Sequence, residues 1–249
     1  NISSYPPSDA KLALVYELLP KGSAYSRLHS SAPFPWNERL QTAIDASRGL
    51  AHLHKFRPEL FHRDVKSANI LFAEDGIAKI ADFGLACASR TRTELFSEVD
   101  VASGTPGYSA PEYARTSVVT EASEVYSMGM VLIELLTGRK PAKLASDKQT
   151  YTFLLSEIRS APGGAIEALT SMADARAGWP QVAVQEIVAF ALQAVDDDHE
   201  WRPRFLEMVS VLQKTLLESL STVGGAAPTE ASESESAFTE GNVEESLLG

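Results

Sequence analysis

The sequence predicts one mainly α-helical α+β domain carrying two small β-hairpins. Three observations support that class. Five segments space their apolar residues as buried helices do, two short runs of β-forming residues flank the turn Glu74-Asp75-Gly76, and no internal repeat is present. With 249 residues and 44% apolar content, the chain is large enough for one sizeable core.

Taken in order, residues 11–19 (KLALVYELL) are a short apolar run closed by Pro20 and Gly22, and predict a buried strand. Ser23 is placed to N-cap a short helix through Tyr25, Arg27 and Leu28. Over residues 36–54, Leu40, Ala43, Ile44, Ser47, Leu50 and Ala51 recur at helical spacing and predict a long amphipathic helix. Two strands follow at ANILF and IAKIA, joined by the Glu-Asp-Gly turn. Residues 82–112 are rich in Ser, Thr and Gly and keep no period; so long a loop inside a compact domain is functional or disordered. VYSMGMVLIELLTG is apolar nearly all round and predicts a helix buried mid-domain, ended by Gly138 and Pro141. Further helices are expected over residues 150–160, 183–195 and 204–220.

The formal net charge is −11, and six acidic residues lie beyond Thr222 with no Lys or Arg among them, so the remainder carries −5. That balance argues against a nucleic-acid binder, which needs a basic face. Residues 221–249 are rich in Ser, Gly, Ala and Glu and are expected to be a disordered acidic tail. Cys87 is the only cysteine, so no disulfide forms within the chain, which fits a reducing, cytoplasmic setting. The longest apolar run, over residues 128–136, is interrupted by Glu134 and falls far short of the ~20 residues of a membrane helix. NISSYPPSDAK has no basic start and no apolar core, hence no secretory signal. The chain reads as soluble. It begins without Met, and a membrane span upstream stays open.

FHRDVKSANILF, residues 61–72, crowds Asp64, Lys66 and Asn69 between apolar runs. A hairpin between Asn69 and Asp82 brings both back to one edge of the sheet. Their side chains offer hard oxygen ligands, which suit a Mg²⁺ that keeps several waters and bridges substrate phosphates. Lys66 adds a point positive charge for phosphate oxygens, and Asp64 is left to accept a proton from a hydroxyl. Gly84 lets the backbone turn after Asp82.

In that order, HRDVKSANILF, DFG at 82–84 and APE at 110–112 resemble the catalytic loop, metal motif and activation-segment end of eukaryotic protein kinases. LVYELLPKGS resembles the hinge, residues 36–54 the long helix before the catalytic loop, and GTPGYSAPEY the substrate-docking loop. The wording is closest to the receptor-like, Pelle and interleukin-receptor-associated kinase group, and the match spans residues 1–217 or so. The resemblance implies a protein-kinase-like α+β fold. Residues 1–19 would be a remnant of the small lobe and hinge, and 20–220 the large lobe.

The same resemblance implies a serine/threonine kinase that uses ATP and Mg²⁺ on a protein substrate. Asp64 would orient the substrate hydroxyl and accept its proton, Lys66 would steady the transferring phosphoryl group, and Asn69 and Asp82 would hold Mg²⁺. Thr105 would hydrogen-bond near Asp64 and Lys66. Glu17 and Leu19 would offer backbone groups to adenine, Tyr16 would guard the pocket behind it, and Leu71 would line it. Arg63 implies control by phosphorylation of the segment that follows, with Thr91, Thr93, Ser97 and Ser103 as candidate acceptors. The plain alternatives are turn and cap chemistry for Asp64, Asn69 and Asp82, and a solvated lysine for Lys66; the joint spacing weighs against them. Glu112 and Arg202 read as a structural pair, His62 as a packed histidine, and Cys87 as a small packed residue. His52, His54 and His199 receive no role.

Two departures stand out. A glycine-rich phosphate loop, the lysine that pairs with the nucleotide phosphates and its partner glutamate belong ahead of the hinge. Only about ten residues precede the hinge strand here, so the chain reads as a fragment; the alternative is a non-catalytic binding or scaffolding lobe. In ASEVYSMG, Glu124 stands where the family has Asp, a carboxylate that ties the central helix to the catalytic-loop backbone. Glu keeps the charge with one more methylene, so that tie is expected to be strained or remade, and Glu124→Asp is expected to raise activity or thermal stability.

Overall fold

Among the described residues, the first helix begins at Ser23 with a reciprocal cap. In the computed structural model, which describes residues 15–145 and 149–224, its Oγ accepts the Ser26 N–H (3.1 Å) while the Ser26 Oγ accepts the Ser23 N–H (3.0 Å). This cap starts α1 (Ala24–Leu28), whose Ala24 and Leu28 are buried. Helix α2 (Trp36–Leu53) follows, burying Leu40, Ala43, Ile44, Ala46 and Leu50 on its inner face, as its spacing predicts.

Short strands then alternate with loops: β1 (Leu60–Phe61), β2 (Ile70–Phe72), β3 (Ala78–Ile80), β4 (Cys87–Ala88) and β5 (Phe96–Glu98). After them come α3 (Pro111–Thr116), β6 (Val118–Thr120) and α4 (Glu121–Thr137). The described chain continues with β7 (Ala142–Leu144), β8 (Tyr151–Phe153), α5 (Leu154–Arg159), α6 (Ala165–Ser171), α7 (Gln181–Ala194) and α8 (Phe205–Gly224). The strands pair antiparallel in twos, β1 with β4, β2 with β3, β5 with β6 and β7 with β8. Three of these pairs join strands consecutive in the chain, β5–β6 across α3; β1–β4 spans the β2–β3 hairpin.

Helix α4 forms the centre. Val125, Met128, Met130, Val131, Leu132, Ile133, Leu135 and Leu136 are all buried, each large apolar side chain contributing roughly 1.5–3 kcal/mol by leaving water. It packs on α2 and α7, and α8 closes over α2. At Gly129 a Cβ would sit 2.8 Å from both Ala194 Cβ and Val195 Cγ1, so only glycine lets α4 and α7 approach this closely. Gly138, with φ 66°, ends α4 where the sequence predicts.

Four expectations need correction. Of the expected strand at 11–19, residues 11–14 lie outside the described residues; 15–19 have no regular structure, and Val15 is 94% exposed. No described strand lies alongside to pair their backbone groups, and an unpaired strand is not stable by itself. Within 82–112 the chain is not structureless: it makes a 3-10 turn at Phe83–Leu85, capped by Asp82, and β4 and β5 are held by β1 and β6. Helix α4 starts four residues before the apolar run, because the Thr120 Oγ1 accepts the Ser123 N–H (3.1 Å). Helix α8 runs to Gly224, past the expected start of the tail at 221. Ser221 and Thr222 donate their hydroxyls back to the Leu217 and Glu218 carbonyls (both 2.9 Å).

Candidate active site

The loop between β1 and β2 is stapled from both sides. His62 is fully buried; its Nε2 donates to the Ala81 carbonyl (2.9 Å), which leaves Nδ1 to accept the Asp64 N–H (3.3 Å). One tautomer serves both bonds, and the ring meets Phe83 edge-on at 5.1 Å. Arg63 has φ 69°, a left-handed conformation of the kind stored at functional sites for roughly 1–3 kcal/mol. Its N–H donates to Glu124 Oε1 (2.6 Å) from α4. Its guanidinium donates to the Leu85 and Val101 carbonyls (3.0 and 3.1 Å) and the Tyr113 hydroxyl (3.1 Å), binding both ends of the following segment.

Asp64, Lys66, Asn69 and Thr105 converge. Lys66 Nζ donates to Asp64 Oδ2 (2.6 Å) and to Thr105 Oγ1 (2.9 Å), and Thr105 Oγ1 donates to Asp64 Oδ1 (2.7 Å). Asn69 Nδ2 donates to the Asp64 carbonyl (2.9 Å) and to Asp64 Oδ2 (3.1 Å). Burial pushes the Asp64 carboxyl up, but the bonds from Lys66, Thr105 and Asn69 outweigh it and hold the pKa below the usual range. Asp64 is therefore an anion at neutral pH, oriented at both oxygens.

The hairpin brings the second group back. Ile70 pairs with Ile80, and the Ala81 N–H donates to the Asn69 carbonyl (2.9 Å), so Asp82 leaves the ladder beside Asn69. Asp82 is itself left-handed at φ 65°, and its Oδ1 caps the Gly84 N–H (3.3 Å). Since both Asn69 amide protons face Asp64, its amide oxygen is the end left for a ligand; with the Asp82 carboxylate it makes a pair of hard oxygens. That donor set fits Mg²⁺ with water and phosphate completing the shell.

Tyr16, Glu17, Leu19, Leu71, Ile80 and Asp82 line a cleft of about 480 Å³, within the range of ligand pockets. The expected adenine-side residues and one expected metal ligand thus share one hollow. Tyr16 is 69% exposed and does not close it. Lys79, which the sequence reading passed over, also lines this cleft and pairs with both Glu17 oxygens (2.7 and 2.8 Å). Alternation in IAKIA was the available signal, since it turns Lys79 away from the buried Ala78.

The loop over residues 104–113 is joined to the same centre. Tyr108 donates to Glu134 Oε2 (2.5 Å), its oxygen lies 3.2 Å from Ser67 Oγ, and His29 Nε2 lies 3.1 Å from Glu134 Oε1. Burial, then the Glu134 charge, pushes the Tyr108 phenol far up, so it stays a donor.

Two readings gain detail here. Glu124 makes the tie with its added methylene in place: one oxygen takes the Arg63 N–H (2.6 Å) while the other lies 2.9 Å from His54 Nε2. And His54, given no role above, is almost fully buried between Glu59 and Glu124. No sequence signal marks it, because its partners come from separate elements. Cys87 is a half-buried free thiol whose pKa burial raises, in keeping with a packed residue.

Comparison with known proteins adds the following. The family described as "Protein kinase domain" matches residues 2–212. Among curated relatives, the probable serine/threonine-protein kinase PBL2 of Arabidopsis thaliana is 36% identical over 85% of this chain and 49% of its own length. The PTI1-like tyrosine-protein kinase 3 of the same plant is 37% identical over 83% and 52%. The EPD1-interacting receptor-like cytoplasmic serine/threonine-protein kinase 5A of Gossypium barbadense is 34% identical over 88% and 48%. The chain spans about half the length of these relatives.

Proposed function

The chain belongs to the protein kinase family, and from that premise we propose that it transfers the γ-phosphoryl group of ATP to serine or threonine hydroxyls of a protein substrate. The observation that carries this reading is the cluster of Asp64, Lys66, Asn69 and Thr105, with Asp82 returned beside it by the β2–β3 hairpin. Asp64, anionic and held at both oxygens, orients the substrate hydroxyl and takes its proton as the phosphoryl group leaves. Lys66 turns from Asp64 to the transferring group. Asn69 and Asp82 would hold Mg²⁺, which supplies charge neutralisation on the phosphate oxygens. Leu71, Leu19, Glu17 and Tyr16 form the adenine side, and 20–220 is the large lobe against which the nucleotide rests.

Lys66, two residues after Asp64, favours Ser/Thr over Tyr as acceptor, in line with the names of most relatives above. No helix of the described residues is long and apolar enough to cross a membrane. A cytosolic setting is part of this proposal, supported by the relative named as a cytoplasmic kinase; so is the absence of a nucleic-acid partner, supported by the −11 charge.

The test is phosphorylation of a generic protein substrate by the full-length protein with Mg-ATP. Activity that disappears in Asp82→Asn is expected. No labelling by the wild type would instead assign the chain to a non-catalytic binding lobe.

A further inference from the structure

His54 caps the C-terminus of α2 with its ring stacked on Phe205 (5.3 Å between centroids) and edge-on to Phe61 (5.4 Å). Both ring nitrogens face carboxylates. Nδ1 lies 2.7 Å from Glu59 Oε1 and Nε2 lies 2.9 Å from Glu124 Oε2, the latter off the hydrogen-bond line; none of the three side chains is more than 4% exposed. A neutral imidazole carries one N–H, so one nitrogen would turn its lone pair on a buried anion. With both nitrogens protonated, each meets an opposite charge.

The two carboxylates lead to different parts of the site. Glu124 uses its other oxygen for the Arg63 N–H (2.6 Å), the residue next to Asp64. Glu59 is tied through its backbone to the segment after Asp82: its N–H donates to Ser89 Oγ (3.0 Å) and its carbonyl accepts the Ser89 N–H (2.8 Å).

We propose that His54, as an imidazolium clamped by Glu59 and Glu124, is a positioning residue for phosphoryl transfer, fixing the carboxylate that holds Arg63 and, through Arg63, the orientation of Asp64. This rests on the kinase reading above. The charged groups facing the His54 ring are Glu59, from the turn after α2, and Glu124, from α4; Arg57, from the same turn as Glu59, donates to the His54 main-chain carbonyl (2.9 Å). Arg63 lies beyond Glu124, with its guanidinium turned to carbonyls and Tyr113, while β1 and α8 present the rings of Phe61 and Phe205. Burial opposes the charge on His54, but the two carboxylates outweigh it and raise the group to about 9. The geometry asks for the same protonation state. Deprotonation would release Glu124 from one side and let the Arg63 tie loosen.

His54→Phe would leave two carboxylates buried without a counter-charge, so the informative variant is Glu59→Gln. Glutamine keeps an oxygen for Nδ1–H and removes one negative charge, so His54 loses its proton at lower pH. In the full-length protein, imidazole NMR reads the His54 titration while kcat and KM for Mg-ATP are followed over about pH 6–10. The alkaline fall in kcat is expected to track His54 in both proteins and to move down by about one unit in the variant, a tenfold change in proton affinity. KM for ATP stays constant. A His54 titration that shifts while the kcat profile stays put overturns the proposal, as does a His54 already neutral at pH 7 in the wild type. A second readout needs no catalysis: hydrogen exchange at the Arg63 amide, corrected for pH, should be about tenfold faster in Glu59→Gln where His54 has become neutral. Equal exchange overturns the positioning role. If the wild type transfers no phosphate at all, the kinase reading falls, and Arg63 exchange still decides this one.

Discussion

Arg202 and Glu112, ninety positions apart, meet as a fork: NH1 donates to Oε1 at 2.6 Å and NH2 to Oε2 at 2.9 Å. The guanidinium is completed by the Asp196 carbonyl (2.8 Å), the Ala122 carbonyl (3.0 Å) and the face of Tyr126 (4.9 Å). The pair clamps α3, at the end of the loop over residues 104–113, to the base of α4 and to the turn ahead of α8. Its Arg side chain is fully enclosed.

Removing one member leaves the other uncompensated, so Glu112→Ala should cost about 3–5 kcal/mol of unfolding free energy. Denaturant melts of wild type and variant measure it. Arg202→Met, which fills the space without a charge, should unfold earlier too, because Glu112 then remains.

Glu124→Asp should lower stability by roughly 1.5–3 kcal/mol, contrary to the expectation drawn from the family's usual aspartate. The shorter side chain cannot reach both the Arg63 N–H and His54, and a charged hydrogen bond of this kind is worth about that much. A thermal melt at or above the wild-type midpoint would count against it.

Stability should fall on the alkaline side. His54 is raised from 6.5 to about 9, so its contribution is complete below about pH 6.5 and is lost as pH climbs through about 9. The loss is on the order of 3 kcal/mol. Urea midpoints measured across that window test it, and a flat profile would reject it.

Tyr108→Phe removes the donor from Glu134, which is fully buried, and should cost about 1–3 kcal/mol. Since Tyr108 belongs to the loop proposed to dock substrate, KM for a peptide should rise several-fold while KM for ATP stays level. Steady-state kinetics with each substrate varied in turn separates the two.

Much of this was legible in the residues themselves. Helices α2 and α7 announced themselves because an amphipathic or fully apolar period of ten or more residues has few competing explanations, and Ser23 and Gly138 marked their helix ends by simple chemistry. Asp64, Lys66, Asn69 and Asp82 could be found because short spacing and one hairpin govern their meeting. The strands β1, β4 and β5 were not legible, being two or three residues long and stabilised by partners far away in the chain. Helices α3 and α6 were too short for their period to show. The His54 cluster stayed hidden for a different reason: its three members sit on three separate elements, and only the fold brings them within bonding distance.

Because Glu124 grips the main chain at position 63 and not a side chain, the grip itself does not read residue type; the left-handed φ of 69° is what limits the choice, excluding proline and disfavouring β-branched residues. Any side chain that tolerates that backbone can meet the neighbouring segment from position 63, so its contacts with Leu85, Val101 and Tyr113 can change while the placement of the Asp64 carboxylate is left alone.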